Sequence, residues 1–473
     1  METDSKDGRT FIRDESFRDS ISTITEEGKR NWIFPQKPKG QLYDKRKLVS
    51  YAYLILFFTI PFLKLNGEPL LLLNILERKF IIFGLIFWPQ DLFLAALAML
   101  TFMVFIVLFT VVFGRLFCGW VCPQTIFMEM VFRRIEYWIE GDANQQRRLN
   151  KQPWNRAKII KKAGKLLAFF ALSFVIGNFF YSYIIGMDKL IHIITQPFAD
   201  HVGGLLGMIA FAGIFFFVYS YFREQVCLVV CPYGRLQGVL LDRNSIVVAY
   251  DYVRGEPRSK HPKEENISAG DCIDCKACVR VCPTGIDIRN GTQLECINCT
   301  ACIDACDHIM EEVSKPKGLI RYDSENGIAK GTKLKATTRI VGYSAVLLLL
   351  FVGLSFGISS RSNIETTILR APGMLFQKVG TDSLSNLYNF KIVNKTHEKM
   401  PLTLKLESHP GVIKHIGSVN KLDLDDSGIS EGTFFVTIHR KDIKKRKTKI
   451  TFSVMNGSQV LETYSTNFLG PGR

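Results

Sequence analysis

Eight cysteines fall within thirty-five residues, in two runs of identical spacing. The first is Cys272, Cys275, Cys278 and Cys282, followed by Pro283; the second is Cys296, Cys299, Cys302 and Cys306, followed by Asp307. Both read C-x2-C-x2-C-x3-C, the bacterial ferredoxin spacing, in which two cubane clusters share eight thiolates and the fourth Cys of each run ligates the other cluster. The spacing predicts one [4Fe-4S] site of Cys272, Cys275, Cys278 and Cys306, and a second of Cys296, Cys299, Cys302 and Cys282. Three thiolates from one tight loop cap three corners of a cube, and chain returning from the other loop supplies the fourth. Zinc sites pair C-x2-C units over longer gaps. Asp307 stands where Pro would be usual, but Pro shapes the turn and is not a ligand, so Cys306 keeps its role.

Four further cysteines form a repeat. Arg115-Leu-Phe-Cys118-Gly-Trp-Val-Cys122-Pro123-Gln124 and Arg223-Glu-Gln-Val-Cys227-Leu-Val-Val-Cys231-Pro232 each contain C-x3-C-P at the inner end of an apolar stretch. The repeat suggests two parallel hairpins related by an axis along the membrane normal. On a helix, i and i+4 would share one face. Pro after the second Cys suits the first turn of a new helix, where the N-terminus would favour thiolate at Cys122 and Cys231. Three readings stay open for Cys118, Cys122, Cys227 and Cys231. They converge on one soft-metal or cluster site; they are redox-active thiols or transient copper ligands; or they are ordinary buried cysteines. Met128 and Met130 lie nearby, and thiolate with thioether suits Cu(I), although packing is the commoner role of Met. His192 and His201 fall near the outer ends of the third and fourth apolar stretches, where an interfacial role outweighs a quinol or metal role.

These motifs sit in a chain of 473 residues that is 47% hydrophobic. Five stretches approach the roughly 20 apolar residues a bilayer core requires. They are Leu48–Leu65, Asp91–Phe113, Ala163–Gly186, Val202–Phe222 and Ile340–Ile358. Lys79–Pro89 is too short to span and is expected to be interfacial or re-entrant. The net charge of +16 is uneven: Lys and Arg crowd residues 1–47 and 114–162 and are sparse in the links 66–90 and 188–201. By the positive-inside rule the N-terminus and the ferredoxin stretch face the cytoplasm, and five crossings place the C-terminus outside. All 12 cysteines lie at or before Cys306, so none falls in the segment assigned to an oxidising space. The first span starts too late and runs too long for a cleaved signal peptide and is expected to act as an uncleaved anchor. Basic residues cluster beside spans and no motif supports nucleic-acid binding.

The expected fold class is a multidomain membrane protein: an α-helical transmembrane bundle of about five spans, a cytoplasmic two-cluster ferredoxin domain and a C-terminal all-β immunoglobulin-like sandwich. The divisions are a cytoplasmic tail over 1–47, a four-span membrane domain over 48–250 and the ferredoxin over 251–313. A linker over 314–338, a fifth transmembrane helix over 339–358 and the sandwich over 359–473 follow. The polar lead-in Asp251–Ala269 carries Pro257 and Pro262, and the linker is rich in Lys and Gly. Strands are read from alternation at Tyr388, Phe390 and Ile392; Leu402, Leu404 and Leu406; Phe434, Val436 and Ile438; and Ile450, Phe452 and Val454. Turn signals separate them at Asn394-Lys395, His409-Pro410-Gly411, Asp425–Gly428 and Asn456-Gly457. The basic run Lys441–Lys449 reads as a solvated face.

Together with Trp88-Pro89-Gln90-Asp91, the two C-x3-C-P motifs, the tandem ferredoxin runs, a last span and a Cys-free β-domain resemble the CcoG/FixG/RdxA family. These are cytochrome c oxidase accessory proteins of bacterial inner membranes. The resemblance runs from Gln41 to the C-terminus. It implies a role in maturing the cbb-type haem–copper oxidase, with oxidase assembly factors or a copper chaperone or transporter as partners. It also implies reduction of Cu(II) to Cu(I), which would make the chain a cupric reductase with copper as a further cofactor or cargo. The membrane half also resembles NapH and the C-terminal part of NosR, which implies a rival role as a quinol-linked redox anchor. A non-redox assembly scaffold is a third class. No flavin, haem c or nicotinamide motif is present, so a redox role needs an outside cytoplasmic donor. All-Cys cubanes have low potentials, and electrons would pass through them towards Cys118, Cys122, Cys227 and Cys231.

Overall fold

The computed structural model describes residues 22–471, apart from 26, 198, 200, 260–269, 332–336, 397–398, 417–421, 425–427 and 444. The expected tail before residue 22, the second half of the polar lead-in and the turn at 425–427 lie outside the described residues. The chain divides into two compact units. One comprises residues 1–62 and 96–353; the other comprises 63–95 and 354–473.

In the first unit the helices Arg156–Ile185 and Val202–Phe217, the latter extended by a π-helical turn Val218–Phe222, form an antiparallel pair. Small residues permit the close approach: a Cβ on Gly177 would stand 3.1 Å from the backbone of Phe211 and Ala212. At the end of the pair where the two helices are joined, the rings of His192 and His201 lie 5.0 Å apart, edge to face.

Among the described residues, four helices are long and apolar enough to cross a membrane: Leu92–Phe113, Arg156–Ile185, Val202–Phe222 and Thr338–Ser359. The last has no buried residue, and Leu348, Leu349, Phe351, Val352 and Phe356 project outward, which suits hydrocarbon and not water. The first expected span also forms a helix, Gln41–Thr59, but its first two turns carry Asp44, Lys45, Arg46 and Lys47, and it falls short of the apolar criterion that the other four meet.

The ferredoxin is larger than its cysteine runs. Val247–Tyr250 pairs antiparallel with Ile320–Asp323, and a helix Glu325–Lys330 follows, capped by the Ser324 side chain. A strand and a helix therefore occupy residues 320–323 and 325–330 of the expected linker, and the strand Val247–Tyr250 belongs to this sheet and not to the membrane helices. The linker's strand was hidden in the sequence because four residues, Ile320-Arg-Tyr-Asp323, are too few to show a period.

In the second unit two antiparallel sheets enclose one core. One runs Gly411–His415, Ile429–His439, Ser383–Asn394, Ile364–Arg370, with Gln377–Val379 pairing on Ser383–Asn394; the other runs Leu422–Leu424, Met400–Leu406, Lys447–Asn456, Gln459–Leu469. The alternation read from sequence is the core pattern. Tyr388, Ile392, Leu402, Phe434, Val436, Ile450, Phe452 and Val454 are fully buried, and Leu404 and Leu406 pack partly against them. The hairpin Lys447–Asn456/Gln459–Leu469 turns at Gly457, whose φ of +59° is one that Gly adopts without steric cost.

The stretch expected to be interfacial or re-entrant is instead a β-meander, Leu71–Asn74, Lys79–Ile82 and Leu85–Phe87. Alternation decides it: Leu72, Ile81, Ile86 and Trp88 bury one face together with Val393 of the sandwich, and the strands satisfy one another's backbone groups. Asp91 locks this unit. Its carboxylate accepts from the Trp88 backbone N–H (3.2 Å), from Arg361 just after the last helix, and from the nearly buried Lys395 Nζ (2.7 Å). Burial pushes the Asp91 pKa up, but these donors outweigh it and hold the carboxyl below its ordinary range.

A carboxyl with a lowered folded pKa contributes stability above its unfolded pKa and loses it as pH falls through the folded value. Asp91→Asn takes a carboxylate from Arg361 and one of two from Lys395, which keeps Glu365 (2.7 Å), and should destabilise the second unit by about 1–3 kcal/mol near neutral pH. Unfolding of detergent-solubilised protein followed across pH should show wild type and variant converging below about pH 4. A gap that persists in acid contradicts this assignment.

Candidate functional site

The two cysteine runs fold into two loops of matching backbone. In the first, Asp274 and Lys276 have φ of 49° and 58°; in the second, Asn298 and Thr300 at the equivalent positions have 52° and 66°. Left-handed backbone is uncommon outside Gly and costs on the order of 1–3 kcal/mol where it is held. Here it recurs at the same places because a loop carrying three thiols at x2 spacing must curl around one point. Lys276 and Thr300 also stand as the N-caps of the helices Ala277–Arg280 and Ala301–Glu312. The first helix stops short of Cys282-Pro283. The second runs on through Cys306, since Asp307 imposes no break, and the Asp307 carboxylate takes the Gly318 N–H (2.8 Å).

Each run contributes to both of two small cavities. One is lined by Cys272, Cys275, Cys278 and Cys306, with Tyr250 and Arg289. The other is lined by Cys282, Cys296, Cys299 and Cys302, with Cys278 at its edge. Burial pushes the Cys306 and Cys296 thiols up to about 12, so a bound cation is needed to hold them as thiolates. Arg289, paired with Asp287 and Asp274, places a positive charge near Cys278. All-sulfur donors, enclosure and nearby backbone N–H groups fit iron–sulfur chemistry.

The two C-x3-C-P repeats also come into contact, though their thiols do not share one helix face. Pro123 and Pro232 push the preceding residue out of the helical region, so the chain breaks at Cys122 (ψ 126°) and Cys231 (ψ 113°), each of which caps a new helix, Pro123–Ile126 and Pro232–Leu240. Contacts between the repeats close the gap. Arg115 donates to the Gly234 carbonyl, Gln124 Nε2 to the Arg223 carbonyl (3.3 Å), and the Cys118 thiol to Gln237 Oε1 (3.3 Å). Each of Cys118, Cys122 and Cys227 lies within Coulombic reach of Cys231. The expected lowering of thiol pKa by a helix start is present at Cys122, through the N–H groups of Gln124 and Thr125, but burial outweighs it and the pKa is raised. Burial likewise takes Cys118 and Cys227 to about 12.

This centre abuts the ferredoxin. Cys118 packs against the cluster of Val281, Ile297, Cys299 and Ala301. Between Cys118 and Cys122, Gly119 sits so close that a Cβ would meet the Ile297 carbonyl at 2.3 Å, and the buried Arg46 Nε holds the Gly119 carbonyl (2.7 Å). Asp304 of the ferredoxin accepts from the N–H groups of Leu42 and Tyr43, fixing the start of the helix Gln41–Thr59. Beside Cys227 opens a cavity of about 500 Å³ lined by Arg115, Leu228, Gly234, Leu241, Leu294 and Glu295, among others. Buried Arg223 forms a bidentate pair with Glu136 (2.8 and 2.8 Å), and Arg133 pairs with Glu129 (3.0 Å). Met130 and Met128 have other contacts: the Met130 sulfur accepts from Arg134 (3.8 Å), and Met128 packs among Phe127, Phe132 and Phe169.

Sequence reasoning missed Arg46, Gly119, Gln124 and Gln237. Arg115 and Arg223 opened both repeat motifs and were visible as a pair, yet nothing in their spacing told of their partners.

Comparison with known proteins follows the same divisions. Residues 222–325 match a 4Fe-4S dicluster domain, 95–142 a 4Fe-4S binding domain, and 354–471 the Ig-like fold at the C-terminal of FixG. The chain is 30% identical over 500 residues to nitrogen fixation protein FixG of Rhizobium meliloti, covering 94% of each chain. It is 33% identical to protein RdxB of Cereibacter sphaeroides, covering 81% of this chain and 86% of that one. Protein RdxA of the same organism is 32% identical, with 84% and 86% covered.

Gly119→Ala should lower the unfolding free energy by about 1–3 kcal/mol, because the Ile297 carbonyl is backbone and must move. Gly164→Ala, on the open side of the helix Arg156–Ile185 with nothing within 4 Å of the added Cβ, is the control and should be neutral or slightly stabilising. Equal melting of the two variants would contradict the close approach. Glu136→Gln takes the bidentate carboxylate from buried Arg223, which keeps Glu224 at 3.5 Å, and should cost about 1–3 kcal/mol, read from the same melts.

Proposed function

The chain belongs to the FixG/RdxA family and is an iron–sulfur electron-transfer protein with transmembrane helices, and from that premise we propose that it assists maturation of a cbb-type cytochrome c oxidase by reducing Cu(II) to Cu(I) for copper delivery. One observation carries the reading: Cys118 packs on the ferredoxin's own Cys299 cluster, so the soft donors form one continuous file from the ferredoxin to the inner ends of the membrane helices.

Cys272, Cys275, Cys278 and Cys306 hold one [4Fe-4S] cluster, and Cys296, Cys299, Cys302 and Cys282 hold the other. When bound, these groups supply one-electron transfer at low potential. The chain itself excludes water from the thiols, fixes them on strained loops, and places Arg289 beside Cys278 to offset negative charge. Cys118, Cys122, Cys227 and Cys231 form the redox site at which Cu(II) takes up its electron; a soft sulfur donor set favours the Cu(I) product. The reductant is a cytoplasmic one-electron donor.

The protein lies in the bacterial inner membrane with its N-terminus and ferredoxin in the cytoplasm and its C-terminal domain in the periplasm. A crossing by the helix Gln41–Thr59 makes five spans. It accounts for a helix whose start is capped from the ferredoxin and is followed by residues 63–95, which group with the C-terminal fold. The Cys-free sandwich then faces the oxidising side, where it docks oxidase assembly factors or a copper chaperone or transporter.

A second reading, a quinol-linked redox anchor, is favoured by the cavity beside Cys227, whose apolar Leu228, Leu241 and Leu294 and polar Arg115 and Glu295 suit a ring with oxygen substituents. The two readings part in one assay. Replacing Cys118, Cys122, Cys227 and Cys231 by Ser, with the ferredoxin cysteines intact, should abolish Cu(II) reduction by dithionite-reduced protein. Unchanged copper reduction removes these thiols from the route, and quinone reduction indifferent to copper selects the second reading.

A further inference from the structure

We propose that Arg46 and Arg115, two buried cations without a carboxylate partner, hold the site of Cys282, Cys296, Cys299 and Cys302 at a more positive potential than the site of Cys272, Cys275, Cys278 and Cys306. An electron from a cytoplasmic donor therefore passes from the second of these sites to the first, towards the membrane helices. The inference rests on the iron–sulfur reading above and deepens it by giving the transfer a direction.

Both arginines reach the loop Cys296–Cys302 from outside the ferredoxin. Asp304 on the helix Ala301–Glu312 fixes the start of the helix Gln41–Thr59 at Leu42 and Tyr43. One turn on, Arg46 Nε donates to the Gly119 carbonyl (2.7 Å), and Gly119 itself lies against the backbone of Ile297 and Asn298. Arg115 donates to the carbonyl of Leu294, two residues before Cys296. The two side chains belong to residues only 3% and 5% exposed, and Arg46 Nη2 and Arg115 Nε make no hydrogen bond. Among the described residues, neither arginine has a carboxylate within ion-pairing distance. A buried cation without counter-charge is costly, and an anionic centre on the neighbouring thiols is the counter-charge that both lack. Burial pushes the Cys299 thiol up to about 11 against the opposing charge of Arg46; at Cys296 the Asn298 N–H and Arg115 oppose burial in the same way. Glu129, which also acts on Cys299, is already paired with Arg133 (3.0 Å).

The other site is balanced the opposite way. Its buried cation, Arg289, is held by Asp287 (2.6 Å) and Asp274 (2.5 Å). Asp287 also acts on Cys278, and Asp307 on Cys306, each in the sense that disfavours negative charge. Lys276 lines this cavity and Arg280 donates to the Cys275 carbonyl (2.7 Å), but both side chains are exposed and water weakens their fields.

An uncompensated positive charge stabilises the reduced, more negative state of a centre, and a surplus of carboxylates destabilises it. Cys278 borders both cavities, so the two sites are immediate neighbours. One electron leaves the carboxylate-flanked centre, which is oxidised, for the arginine-flanked centre, which is reduced; no bond or proton moves.

The test is an EPR-monitored redox titration of full-length protein purified without oxygen. Wild type should show two midpoint potentials. Arg46→Gln should move the more positive one downward by about 59 mV, a tenfold change in the partition of one electron. Arg46→Lys keeps the charge and should leave that potential in place. Asp287→Asn frees charge on Arg289 and should raise the more negative potential and no other. The proposal is overturned if Arg46→Gln moves the more negative centre or neither. It is equally overturned if Arg46→Lys moves the potential as far as Arg46→Gln, which marks a structural role. Should the Arg46 variants fail to fold, Asp287→Asn decides alone: a shift of the more positive centre, or none at all, overturns the assignment. Copper reduction is scored separately. Its loss with the order of potentials kept removes the cupric reading and leaves the direction standing, while copper reduction with potentials indifferent to Arg46 does the reverse.

Discussion

Arg115 is the constraint on which the functional half of the molecule depends. It is buried at the end of the helix Leu92–Phe113, one hand on the Gly234 carbonyl in the second C-x3-C-P repeat and the other on the Leu294 carbonyl in the ferredoxin. Three stretches distant in sequence are thereby held by one planar cation. A guanidinium can serve three masters because its donors fan out in a fixed plane, which an ammonium cannot reproduce. Gly119 depends on it: only with the repeats and the ferredoxin loop drawn together can a glycine lie against the Ile297 carbonyl.

The second unit shows a different economy. It has no cysteine and builds its stability from an aromatic and aliphatic core between two sheets, with Phe434 packed against Tyr388 and Phe452. Its one dense electrostatic knot is Asp91, which ties the meander 71–87 to Arg361 and Lys395. The meander is short and twisted, and it gains its stability from burial against Val393, as three short strands would not alone.

Much of this was legible in the chain. Spacing announced the ferredoxin because metal ligation tolerates few loop lengths, and alternation announced the sandwich because a strand with one buried face leaves a period of two. The meander and the strand Ile320–Asp323 were not legible, since short elements borrow their order from partners elsewhere. The C-x3-C-P motifs were half legible. Their residues and their repeat stood out, but the i, i+4 argument assumed an unbroken helix that Pro123 and Pro232 forbid. The repeats meet instead through Arg115, Gln124 and Gln237, tertiary contacts that no local pattern encodes.

The widened turn Phe127–Phe132 follows directly on the first of these motifs. A π-turn holds one residue more than the α-helical turn it replaces, and so it sets the rotational phase of everything after it. Without the extra residue, the side chains beyond would swing by about 100° around the axis. Glu136 would then face away from Arg223 and Arg133 away from Glu224, and the two buried arginines would each lose a carboxylate, Arg133 keeping only Glu129 and Arg223 only Glu224. The helix is thus keyed like a lock barrel: one surplus residue upstream decides whether the charges below it engage.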